Sequence, residues 1–210
     1  MHPSAPTKAY HLSFTAASLR PELARIVAEC FLKLGDWALV KDRILATNAL
    51  QCRNTSSAVR MERELRQRIE TLTNDQMVLL AQATAEDRTA MAWLATCKHV
   101  HFAFEFAAEV LRDKLVAHDP ILRPSDYESY IEYKCLSHPE LVRLKPTSKN
   151  KIRQVLLRML VEAGLLAKGP VLSIQRPALS PAVVHAITAD SPHWLAAFLV
   201  PDLEIPHRRP

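Results

Sequence analysis

The chain has 210 residues, with 27 Lys and Arg against 22 Asp and Glu for a net charge of +5, 49% apolar residues, 14 prolines and only 3 glycines. A P-loop, a dinucleotide-binding turn or a kinase lid needs clustered glycines so that backbone can approach phosphate; Gly35, Gly164 and Gly169 are scattered, which excludes those routes to nucleotide binding. Scarce glycine also argues against an all-β fold with many positive-φ turns, so a mainly α architecture is expected.

The apolar content suffices for a core without disulfides or metals. Cys30, Cys52, Cys97 and Cys135 form no CxxC pair and read as free thiols. The longest apolar run, 194–200, is far short of a membrane span. A soluble cytoplasmic protein with no membrane association is expected.

Along the chain, residues 1–17 carry Pro3, Pro6 and two histidines and read as a flexible arm. Leu19, Leu23, Ile26, Val27, Cys30, Phe31 and Leu34 then recur at three- and four-residue steps, the stripe of an amphipathic helix ending at Gly35. Asp36 caps a short second helix that ends near Asn48 or Leu50. A third, capped by Thr55, Ser56 or Ser57, runs to about Leu72. Thr73 and Gln76 give a capping-box signature for a fourth helix, 74–85. Met91 to Leu115 follow as one long helix or as a pair broken near 98–101. Together these elements form a helical domain over 18–119.

Pro120 and Pro124 mark a boundary. Ser125 with Glu128 is read as a capping box, Pro139 starts a short helix, and a third helix over 148–163 stops at Gly164. Leu165, Leu166, the turn signal Lys168-Gly169-Pro170 and then Val171, Leu172 and Ile174 suggest a small β-hairpin. Three helices followed by a hairpin is the order of a winged helix-turn-helix-like domain, placed at 120–178. Residues 179–210 read as a C-terminal helical cap and tail.

The helix over 148–163 is the most informative element. With Ile152 at the centre of its buried arc and about 100° per residue, Asn150, Lys151, Gln154 and Arg158 fall on the opposite side, flanked by Lys149 and Arg153. These side chains reach phosphates and base edges in a major groove. Leu157 and Val161 also point outward, which fits a protein contact. Arg53, Arg60 and Arg63 on the third helix form a second candidate surface for phosphate, whereas Arg68 is expected to pair with Glu64 on an exposed face. His101 and Glu105 share a helix face but lack a third convergent ligand, so no metal site is expected. No nucleophile stands beside an obvious base, and no cofactor motif is present; a non-enzymatic protein is expected.

Several segments carry a resemblance. Ser13-Phe14-Thr15, Gly35-Asp36-Trp37, Asn48-Ala49-Leu50-Gln51-Cys52-Arg53 with Ser57 and Arg60, Trp93-Leu94 with Cys97-Lys98, Glu109-Val110-Leu111-Arg112, Lys151-Ile152-Arg153-Gln154-Val155-Leu156 and Glu162-Ala163-Gly164-Leu165-Leu166 resemble the BrxA family of BREX bacteriophage-exclusion systems. The resemblance covers nearly the whole chain. It implies a helical, bacterial, non-enzymatic protein of winged-helix character that binds double-stranded DNA alongside a methyltransferase, ATPases and a phosphatase-like subunit. Family members have been compared with the NusB antitermination fold, which keeps RNA binding as an alternative, beside a protein-interaction adaptor.

Overall fold

The computed structural model describes residues 9–206, and the outer parts of the arm and tail, 1–8 and 207–210, lie outside the described residues. Helices dominate: α1 Pro21–Leu34, α2 Trp37–Ala46, α3 Thr55–Ile69, α4 Asn74–Gln82, α5 Ala85–His99, α6 His101–Phe106, α7 Arg112–Val116, α8 Pro124–Cys135, α9 Pro139–Val142, α10 Pro146–Glu162 and α11 Pro181–Asp190.

Their ends follow local chemistry. Pro21 occupies the first turn of α1, and Gly35 closes the helix at φ +67°, its N–H on the Phe31 carbonyl at 2.8 Å. Asp36 caps α2 through the N–H groups of Ala38 and Leu39. Thr73 and Gln76 form the reciprocal capping box of α4. Two expected caps are replaced. Asn54, not a following hydroxyl, caps α3 by accepting from Ser57 N–H at 2.8 Å, and α8 starts one residue before Ser125, with the Asp126 carboxylate accepting from Arg123 N–H at 2.7 Å. In α3 the side-chain oxygen satisfies a first-turn N–H, and in α8 it reaches back to the N–H of the residue before the helix.

The helical run after α5 is broken at Val100, whose ψ of 82° leaves the helical range. α6 then passes through a turn of π-helix, Ala107–Leu111, into α7. α5 is the centre of the fold. Met91, Trp93, Leu94 and Cys97 are fully buried, and the Trp93 indole N–H donates to the Ala197 carbonyl at 2.9 Å, meeting the polar demand of a ring sealed from water. α1, α3, α4, α11 and the 3-10 turn Pro192–Phe198 all pack against it, and α11 also meets α4, where Gln76 donates to the Ala186 carbonyl at 2.9 Å.

The described part of the expected arm is packed rather than loose. Tyr10, Phe14 and Ala17 are buried. Arg68 explains why backbone survives there: its guanidinium donates to the carbonyls of Phe14, Ala17 and Ser18, so their burial leaves no orphan acceptors. From the other side, Leu19 N–H donates to Glu162 at 2.7 Å. Tyr10 stacks on His138 at 3.7 Å, donates its N–H to Glu140 and its hydroxyl to Glu105. Lys134 of α8 reaches both Glu105 and Glu109. Burial alone would raise the Glu105 carboxyl, but the Lys134 ammonium and the Tyr10 hydroxyl outweigh it and hold the group below the usual carboxylate range. These contacts, with the Tyr127 and Tyr130 rings against Phe106, run without interruption across residue 120.

No β-strand forms among the described residues, which corrects the expected hairpin. Leu165 and Leu166 are still tied to the end of α10, both N–H groups pointing at the Leu160 carbonyl, so little chain is left to pair. What remains is two isolated antiparallel bridges, Leu166 with Ile174 and Ile121 with Ser173. Around them Ala167 N–H donates to Ser173, Gln175 N–H to Leu165, Leu122 N–H to Leu172 and Ile174 N–H to Pro120. Residues 172–175 therefore lie between 165–167 and 120–122.

Candidate nucleic-acid interface

α10 is longer than its sequence pattern suggested because Pro146, with its fixed φ and missing N–H, suits the first helical position. Ile152, Val155, Leu156, Met159 and Leu160 are buried, and Gly164 ends the helix at φ +74°. The opposite face is open. Asn150, Lys151, Gln154 and Arg158 are all exposed, and none of their side chains makes a hydrogen bond or ion pair among the described residues. They form a stripe of roughly 12 Å, from the 1.5 Å rise per residue. Arg143, Lys145 and Lys168 are exposed at either end of the same region.

Lys149 and Arg153 sit differently. With Asn150 at its edge and with Tyr127, Glu128, Ile131 and Glu132 of α8 they line a groove of about 370 Å3. Arg153 lies over the Tyr127 ring, 5.5 Å from its centroid, and 3.9 Å from the Glu128 carboxylate. The groove thus has a basic wall and an acidic wall. Leu157 and Val161, expected to point outward, are half-buried and packed against the core.

On α3, Arg60 and Arg63 are exposed with Arg53 just before the helix. At 100° per residue Ser56, Arg60, Arg63 and Gln67 fall along one line. Arg68 does pair with Glu64, but inside the protein rather than on an exposed face. The two arginine and lysine groups are not fused: each stands on its own helix, and the segment 14–19 lies between, held by Arg68 of α3 and Glu162 of α10.

Sequence reasoning missed the burial of Arg68 with its contacts to the 14–18 carbonyls, and the Tyr10–Glu105–Lys134 chain. Arg68 carried a signal, since Leu65 and Ile69 beside it belong to the apolar seam. Tyr10 carried none, because its partners are far away in sequence. His101 Nε2 is 3.7 Å from Glu105, whose other oxygen is taken by Lys134 and Tyr10; among the described residues no three His, Cys, Asp or Glu side chains converge as metal ligands. No helix among them is long and apolar enough to cross a membrane.

A family model named BrxA matches residues 8–191. The chain belongs to the BrxA family. Two relatives named "BREX protein BrxA" align with it: one from Escherichia coli O9:H4 (strain HS), 26% identical over 141 residues, 67% of this chain and 66% of the relative, and one from Bacillus cereus (strain H3081.97), 26% identical over 152 residues, 71% and 76% respectively. The match to the E. coli BrxA thus spans just under two thirds of that protein's length. A crystal structure of an uncharacterized protein from Magnetospirillum magneticum superposes with a TM-score of 0.81 at 20% identity, covering 91% of this chain and 98% of that one. At that identity the likeness speaks for the fold alone, and it shows this arrangement of helices in a second protein.

Proposed function

We propose that this BrxA-family protein is a non-enzymatic, double-stranded DNA-binding subunit of a bacterial BREX phage-defence system, working beside its methyltransferase, ATPase and phosphatase-like components. The observation that carries the reading is the open stripe of α10. Asn150, Lys151, Gln154 and Arg158 are presented together, with no protein partner, on the helix that precedes the 165–175 turn. In this reading 120–178 acts as a winged helix-turn-helix-like unit, α10 enters a major groove, and Lys168 at the turn reaches a flanking phosphate. Lys149 and Arg153 add phosphate contacts once Arg153 leaves Glu128. Arg53, Arg60 and Arg63 supply a second phosphate-binding patch.

Phosphate contact dominates over base readout here, because lysines and arginines outnumber the amide side chains of the stripe and its flanks. Neutralising four phosphates gives a slope of log K against log salt of roughly −3.6. Fluorescence anisotropy on labelled duplexes tests this. The double substitution Lys151→Glu with Arg158→Glu is expected to weaken binding to all sequences alike and to flatten the salt slope. Unchanged affinity would overturn the assignment, and preference for structured RNA over duplex DNA in direct competition would favour the RNA-binding alternative.

A further inference from the structure

α8 has two unlike sides. Tyr127, Glu128, Ile131 and Glu132 face the groove beside α10. At 100° per residue, Ser129, Tyr130 and Tyr133 project roughly opposite, across a second depression formed with α7. This cleft, about 590 Å3, is lined by four carboxylates, Glu109, Asp113, Asp119 and Asp126, against one ammonium, Lys114. Lys114 is engaged by Asp119 at 2.7 Å and Asp126 at 3.1 Å, Asp119 is met from outside the cleft by Arg123 at 2.6 Å, and Glu109 is met by Lys134 at 2.8 Å. Asp113 is the least compensated: its side chain is 67% exposed, with only Arg112 nearby at 3.8 Å. Of the lining side chains Tyr133 stands in water at 66% exposure, and Leu136, one turn further along α8, is 84% exposed.

We propose that this cleft docks a basic amphipathic segment of another protein, whose apolar side chain covers Tyr133 and Leu136 while a lysine or arginine beside it meets Asp113 and Glu109. The charge selects the partner. Lys114, Arg123 and Lys134 pair Asp119, Asp126 and Glu109, but the lining still holds four carboxylates to one ammonium and leaves Asp113 open to water, so on a chain of net charge +5 the cleft favours a cation over a polyanion. The walls are too charged and too open for a small apolar ligand, whose sites are enclosed and mostly hydrophobic. Aromatic side chains with charged rims are what protein interfaces use. Because α8 separates the cleft from the α10 stripe, both surfaces are free to be occupied together, and the proposal does not rest on DNA binding.

The test uses the full chain and a short labelled helix-forming peptide of Lys and Leu at helical spacing, with its Glu and Leu counterpart as control. The basic peptide is expected to bind and the acidic one not. Asp113→Lys with Tyr133→Ser should weaken binding about tenfold. Both side chains are exposed, so the melting temperature should stay that of wild type, and Asp113→Lys alone serves if the pair is unstable. Lys151→Glu with Arg158→Glu should leave peptide affinity unchanged. Failure of the basic peptide to bind, equal binding by the cleft variants, or loss of binding in the α10 variant would each overturn the proposal. None of these outcomes bears on whether duplex DNA binds α10.

Discussion

The Arg68 guanidinium donates through Nε and Nη2 to one oxygen of Glu64, at 3.0 and 2.8 Å, inside the protein. Nη1 donates to the Ser18 carbonyl, and Nη2 is shared between the Ala17 and Phe14 carbonyls at 2.9 and 3.2 Å. Removing one partner of such a pair strands a charge, so Arg68→Met is expected to cost about 3–5 kcal/mol in denaturant unfolding. Arg68→Met with Glu64→Leu should be less damaging than the single change, because no buried carboxylate is left unpaired. A double variant as unstable as the sum of the two singles would show that the ion pair does not couple them.

Alkaline pH should destabilise the fold from near pH 10. Burial pushes the Tyr127 hydroxyl up to about 12, and Tyr10 and Tyr130 are raised further, burial again the main cause, joined by Glu105. An unfolded tyrosine ionises near 10. Between the two values the unfolded chain has lost protons that the folded chain keeps, so stability is fully present below pH 10 and falls as pH rises above it. Melting temperature measured against pH should show this fall, and Tyr127→Phe should make it shallower. A flat profile between pH 10 and 12 would contradict the burial of these three rings.

Glycine at 35 and 164 is required by backbone angle, not by crowding. Both have positive φ, and a Cβ at either position meets nothing within 4 Å. Alanine there is expected to cost about 1–2 kcal/mol through left-handed strain. Gly169→Ala is the contrast: its φ is ordinary and its nearest neighbour is 4.0 Å away, so thermal unfolding should barely change. A large loss at 169 or none at 164 would reverse this reading.

Much of the fold was legible in the sequence wherever local chemistry decided it. The Thr73 and Gln76 capping box, the Gly35 and Gly164 stops and the buried arc of α10 all stand where pattern placed them, because each depends on neighbours within a turn or two. The α10 stripe follows from the same periodicity. What could not be read depends on distant partners. Arg68 looks like any i, i+4 surface pair until the carbonyls of 14–18 are brought to it. Tyr10 looks like part of a loose arm until Glu105, Glu140 and His138 surround it. Of the expected hairpin only the single Leu166–Ile174 bridge forms, for a local reason that composition hides: Leu165 and Leu166 have the right residue types for a strand, yet their N–H groups turn to the Leu160 carbonyl at the end of α10.

The seating of residues 10–19 also sets an order of events during synthesis. Tyr10 finds its hydroxyl partner 95 residues later and its backbone partner 130 later, and Leu19 finds Glu162 143 residues later. Contacts of such separation form late, after the loops between them have closed. The first described residues to leave a ribosome are therefore among the last to be fixed, and they complete the fold only when α10 has emerged. An incomplete chain ending before Glu162 would leave that early segment, with Phe14 and Tyr10, open to solvent and to other chains.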